Sequence, residues 1–116
     1  MTKRFIISLD LGTTGNRAFC FGVDGKTISS SYLELKQYFP KHGWVEHDPI
    51  EIWDSVQKLV PEAIKKGNLD PSNLISIGIT NQRETSLLWD RESGKRIHNA
   101  IVWQCRRTSG LCKKLR

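Results

Sequence analysis

Neither G-x-x-x-x-G-K-[ST] nor G-x-G-x-x-G occurs anywhere in the 116 residues, so a P-loop or a dinucleotide-binding turn has no support. Cysteine is scarce. Cys20, Cys105 and Cys112 are odd in number and lack CxxC spacing, which argues for reduced thiols and against a disulfide frame or a zinc site. His42 and His47 have no ligand partners near them in sequence and read as surface or packing side chains. No apolar run is long enough to span a bilayer, and the opening Met1-Thr2-Lys3-Arg4 with its short apolar sequel is too brief for a signal peptide. A soluble, cytoplasmic chain with no stable membrane anchor is therefore expected. Acidic residues are also in deficit, 12 against 18 Lys and Arg for a net charge of +6. The surplus sits in Arg91 to Arg116, which holds eight basic residues and one acid. Without interleaved aromatics at a binding spacing, this tail reads as a solvated helix face and no nucleic-acid partner is expected.

What is present suits one domain with a real core: at 38% hydrophobic content, a chain of this length buries about two thirds of its unfolded surface. Phe5 to Leu9 has the length and composition of a buried strand, and Ala18 to Val23 of a second. Between them Gly12-Thr13-Thr14-Gly15-Asn16-Arg17 forms a tight connection at the strand ends. Its glycines admit close backbone approach, its hydroxyls and N–H groups donate, and Arg17 adds a positive fork, all of which suits a phosphate. Asp10 stands where a magnesium carboxylate belongs. The same residues equally fit a plain β hairpin with a solvated Asp10.

Asp24-Gly25 signals a hairpin into a third, antiparallel strand over Thr27 to Tyr38, with Ile28, Tyr32, Leu33 and Leu35 as packing residues. Phe39 to His47 is a loop. Asp48, Pro49 and Glu51 then compose a helix start with a capping box. Ile50, Trp53, Val56, Leu59, Val60, Ala63 and Ile64 form its apolar stripe, Pro61 should kink or split it, and Lys65-Lys66-Gly67 close it. After a turn at Asp70-Pro71, Leu74 to Thr80 is a strongly apolar strand, so the helix suggests a parallel crossover. Ser93-Gly94 marks a further hairpin, Ala100 to Trp103 a short strand, and Thr108 to Arg116 a helix with Leu111, Cys112 and Leu115 on one side.

Two polar segments stand beyond strand ends, where α/β sheets bind ligands: Asn81 to Thr85 and Trp103 to Arg107. A neighbouring Arg83 and Glu84 can donate to and accept from the hydroxyls of a polyol while a Trp103 face covers its carbons. From the residues alone, an ion pair at a strand end and a core tryptophan is the simpler reading.

Asp10 to Thr14 as DLGTT, Gly43 to Pro49 as GWVEHDP, Ile77 to Thr85 as IGITNQRET and Ala100 to Arg107 as AIVWQCRR resemble the amino-terminal part of the FGGY carbohydrate kinases, and within them those that phosphorylate glycerol. The resemblance covers essentially the whole chain, and NQRET and WQCRR are its most specific parts. It implies an α/β fold with the RNase H-like (actin-like ATPase) mixed sheet, the first half of the FGGY amino-terminal domain. It implies Mg²⁺ at Asp10, the phosphates of ATP at Thr13, Thr14, Gly15 and Arg17, and glycerol against Arg83, Glu84 and Trp103. ATP and ADP exchange, cytoplasmic glycerol catabolism to sn-glycerol 3-phosphate and a homo-oligomer of the intact protein are part of the same implication. The family's catalytic aspartate and its adenine-binding second domain would lie beyond Arg116, so residues 1–116 are expected to be a partial domain, inactive alone. Two departures stand out: Leu11 where glutamine is usual, and Gly15-Asn16 where two serines are usual, which removes a hydroxyl donor but keeps the N–H. The alternatives are a kinase for another small polyol or sugar and a non-catalytic, partner-binding fragment.

Overall fold

The computed structural model describes residues 3–116; Met1 and Thr2, the opening of the segment considered as a signal peptide, lie outside the described residues. Strands β1 (Phe5–Leu11), β2 (Gly15–Gly22) and β3 (Thr27–Glu34) form an antiparallel meander, and β5 (Leu74–Thr80) joins β1 in parallel to give the order β3-β2-β1-β5. Helix α1 (Pro49–Lys66) is the crossover between them. This is the expected RNase H-like, actin-like mixed sheet. A second, two-residue ladder pairs β4 (Glu46–His47) with β6 (Ala100–Ile101), and a short helix α2 (Ser109–Lys114) ends the chain.

Alternation explains which face of the sheet is covered. Phe5, Ile7 and Leu9 of β1 and Ala18 and Cys20 of β2 point to one face, where Leu59 and Ala63 of α1 close over them. Two serines of β3 fasten the helix: Ser31 Oγ donates to Leu59 O at 2.7 Å and Ser29 Oγ to Ala63 O at 2.7 Å. On β2, buried Asn16 donates from Nδ2 to Ser55 Oγ at 2.6 Å.

Several expectations shift. The turn between β1 and β2 is only Gly12 to Thr14, because β2 begins at Gly15 and both strands run two or three residues further than their apolar cores. β3 ends at Glu34, Tyr38 instead bridges Glu46, and the last two residues of the expected loop, Glu46 and His47, pair with β6 as β4. Helix α1 runs unbroken through Pro61: that residue and Gln57, whose carbonyl it leaves without a donor, are both exposed, so the gap lies on the solvent side. Asp48 caps the helix through Ile50 N at 2.8 Å, but Glu51 accepts from the Tyr38 hydroxyl at 2.6 Å, so half of the box serves tertiary structure. The stripe begins late, with Ile50 and Trp53 exposed. At the other end the left-handed residue is Asn68, φ 47°, not Gly67. Gly67 is required for space, since a Cβ there would come within 2.8 Å of Ser29 Oγ. β6 spans only Ala100–Ile101 and α2 only Ser109–Lys114, with Leu111, Cys112 and Leu115 all exposed. Helix α1 packs chiefly over β2 and β3. Ile75, Ile77 and Ile79 of β5 are consequently exposed.

Candidate functional site

The first turn and the segment after β5 meet at the carboxyl ends of the parallel pair β1 and β5, where Asp10 and Thr80 are neighbours in register. There Gly12, Thr13, Asn81, Gln82, Arg83, Glu84 and Trp103 line an open cleft of about 500 Å³. Two bonds tie its walls together: Trp103 Nε1 donates to Thr13 Oγ1 at 2.8 Å and Gln82 Nε2 to Gly12 O at 2.9 Å.

The walls are built from opposite kinds of constraint. Gly12 sits where a Cβ would come within 2.8 Å of Gly15 O, the acceptor for its own N–H, so the turn closes only around glycine. Across the cleft, Glu84 holds a left-handed backbone, φ 65°, which a non-glycine side chain adopts only where its surroundings impose it. Thr85 supplies part of that imposition, donating to Gln82 Oε1 at 3.0 Å and accepting from Trp103 N at 3.3 Å. Arg83 and Glu84 are exposed and form no ion pair among the described residues. Trp103 is 51% exposed. The simpler sequence reading, an ion pair beside a core tryptophan, is therefore not the geometry found. Two exposed charges of opposite sign and an indole face border the same space, an arrangement that can donate to, accept from and cover a small polyhydroxylated molecule.

The remaining candidates stand apart from the cleft wall. Thr14 is exposed at the tip of the turn and Gly15 is buried in β2. Arg17 lies with its guanidinium over the Tyr32 ring, 5.1 Å from the centroid. Tyr32 also crowds the glycine at 15: a Cβ on that residue would overlap the tyrosine ring and hydroxyl and oblige the ring to swing aside. Asp10 is half-buried at the end of β1, and no group of three or more His, Cys, Asp or Glu gathers as metal ligands among the described residues. A lone carboxylate of this kind fits a magnesium ion held through water and bound phosphate, not a closed protein cage.

Sequence reasoning missed the polar scaffold beneath the cleft. His47 is 1% exposed and joins Gln37 on one side to Gln82 on the other, each at 2.9 Å. Burial pushes its imidazolium pKa below the usual histidine value, against a smaller opposing pull from Glu51. Next to it Glu46 is buried with Arg107, Nη2 to Oε2 at 2.5 Å, and accepts from Asn99 at 3.2 Å. Burial alone would raise the Glu46 carboxyl, but the hydrogen bonds from Arg107 and Asn99 outweigh it and hold the group below the ordinary carboxylate value. Arg107 also donates to Cys105 Sγ at 3.0 Å and lies 3.8 Å from the centroid of the Trp44 ring. Only long-range contacts reveal these roles: nothing local marks Glu46-His47 as a buried polar pair.

With this geometry in hand, residues 5–116 match the FGGY family of carbohydrate kinases, N-terminal domain. The chain is 62% identical over 114 residues to a glycerol kinase of Leptospira biflexa serovar Patoc, covering 98% of this chain and 23% of that protein. Among solved structures it superposes with a TM-score of 0.88 on Plasmodium falciparum glycerol kinase with ADP, at 37% identity over 98% of this chain and 23% of that one. The gluconate kinase of Lactobacillus acidophilus shares the fold at 22% identity, with a TM-score of 0.87 over 97% of this chain and 22% of that one. The chain thus spans 23% of the length of the curated relatives it matches.

Proposed function

This chain belongs to the FGGY family of carbohydrate kinases, and from that premise we propose that it is the amino-terminal part of an ATP-dependent glycerol kinase. The reaction moves the γ-phosphoryl group of ATP to a terminal hydroxyl of glycerol, giving sn-glycerol 3-phosphate and ADP. The observation that carries the reading is the single cleft shared by Gly12 and Thr13 with Arg83, Glu84 and Trp103. It sets a turn suited to phosphate against a wall suited to a triol.

In this reading Arg83 donates to glycerol hydroxyl oxygens, Glu84 accepts from their hydrogens, and the exposed Trp103 face covers the carbon chain and excludes water from it. The N–H groups and hydroxyls of Thr13, Thr14 and Gly15, with Arg17 behind them, receive the nucleotide phosphates. Asp10 would hold Mg²⁺, which neutralises charge on the phosphates when bound. The base that takes the glycerol proton is assigned to a position beyond Arg116 and the adenine site to a second domain, and the intact protein is proposed to be a cytoplasmic homo-oligomer. No helix among the described residues is long and apolar enough to cross a membrane.

The test is steady-state kinetics of the protein encoded by the complete reading frame, with wild type beside Arg83→Ala. Loss of a donor to buried substrate hydroxyls is expected to lower kcat/KM for glycerol by about tenfold to a hundredfold, roughly 1 to 3 kcal/mol, with ATP affinity nearly unchanged. In the same coupled ADP assay, residues 1–116 alone should not exceed the blank. Unchanged glycerol kinetics, or equal loss of ATP and glycerol in a folded variant, would overturn the assignment.

A further inference from the structure

The polar scaffold under the cleft admits one arrangement of protons. Gln37 Nε2 lies 2.8 Å from Thr13 O and 3.3 Å from Leu35 O, two carbonyls that can only accept, so that atom is the amide nitrogen and Oε1 faces His47. His47 Nε2, 2.9 Å from that oxygen, must therefore carry hydrogen. Gln82 is fixed in the same way, because its Nε2 donates to Gly12 O at 2.9 Å and its Oε1 accepts from Thr85. The second hydrogen of Gln82 Nε2 points at His47 Nδ1, 2.9 Å away, which must accept it. A proton on Nδ1 would set donor against donor. Gln82 could relieve that clash only by turning its oxygen toward Gly12 O.

We propose that His47, with its proton on Nε2, is a positioning residue that fixes both carbonyls of the Gly12–Thr13 turn from one buried centre and so sets the nucleotide-facing wall of the cleft. The inference rests on the kinase reading. Thr13 is gripped at its carbonyl through Gln37 while its hydroxyl accepts from Trp103, and Gly12 is gripped through Gln82. The ring spans the two amides because its two nitrogens offer one donor and one acceptor in opposite directions. Burial favours the neutral ring that this requires. The scaffold also reaches the polyol wall, through Gln82 beside Arg83, through Thr85 and through the Trp103–Thr13 bond, but both amide grips fall on the turn, so the larger effect is on the turn and on the phosphates it receives.

The test uses the complete protein with His47→Leu and His47→Gln. Leucine keeps bulk without polarity, whereas glutamine keeps one donor and one acceptor. His47→Leu is expected to raise KM for ATP about tenfold with KM for glycerol within about twofold, and His47→Gln to recover most of the loss. Nitrogen-15 NMR of wild type at neutral pH should show hydrogen on Nε2 and none on Nδ1. A proton on Nδ1, wild-type KM for ATP in His47→Leu, or a folded His47→Gln no better than leucine would each overturn the proposal. If His47→Leu does not fold, the glutamine kinetics and the tautomer decide. The NMR arm needs no turnover, so a protein that fails to phosphorylate glycerol yet holds hydrogen on Nε2 refutes the kinase reading and supports the clamp.

Discussion

Leu59 and Leu111 are the same side chain on two helices of one chain, and they meet opposite fates: the first is fully buried and the second 58% exposed. The difference is general to the two regions they belong to. From Phe5 to Thr80, strands of seven or eight residues and an eighteen-residue helix enclose a shared apolar core. From Asn81 to Arg116 the elements are short, and only Ala100 and Val102 are buried. That region is held by particular polar bonds: Gln82 to Gly12, Trp103 to Thr13, and above all Arg107 to Glu46. Packing is tolerant of detail and strong in sum, whereas a buried polar contact depends on each partner being present. The site sits on the seam between them, with one wall from each.

The sharpest way to break this comparison is Leu59→Ala. If core packing holds the first region, the cavity should cost about 2 to 5 kcal/mol, read from the midpoint of urea unfolding. A loss below about 1 kcal/mol would mean that the helix is not the lid of that core.

A smaller and more local effect is expected from Arg107→Leu, which leaves Glu46 buried without its cation at a cost of about 3 kcal/mol. Hydrogen exchange should quicken at Ile101, Val102 and Cys105 while Ile7 and Leu9 keep their protection. Equal loss of protection in both regions would show one cooperative unit instead of two modes of support.

Acid should distinguish the regions most gently. Burial holds His47 below its ordinary 6.5, so below that pH the unfolded chain takes a proton that the folded chain refuses, and stability declines as pH falls. Below the ordinary 4.5 of glutamate the depressed Glu46 adds a further loss of the same sign, as the folded carboxylate is titrated. His47→Gln should remove the first decline in a pH series of thermal unfolding and leave the second. A first decline that survives the substitution would place its origin elsewhere.

The sequence is legible where a repeating pattern meets a repeating structure. The boundaries Pro49 to Lys66 and Leu74 to Thr80 follow directly from caps, a breaker and apolar periodicity, because many weak signals agree. The resemblance of NQRET and WQCRR to the FGGY kinases, and not the residues alone, brought Arg83, Glu84 and Trp103 into view together. What remained hidden is what depends on a single distant partner. Tyr38 takes Glu51 away from its capping box, Glu46 meets an arginine from the end of the chain, and His47 reads as ordinary packing until two glutamines arrive on either side of it. The exposure of β5 was hidden for a related reason: its composition shows that its faces can be covered, and only the placement of α1 shows that they are not.

The tyrosine that lies over Gly15 couples the two positions sterically. A side chain at residue 15 would have to push the Tyr32 ring aside, since its first carbon would meet ring and hydroxyl atoms, and Tyr32, 51% exposed, has room to turn. That movement would take away the platform beneath Arg17. A serine at residue 15 would thus act on Arg17 through Tyr32 as well as adding a hydroxyl.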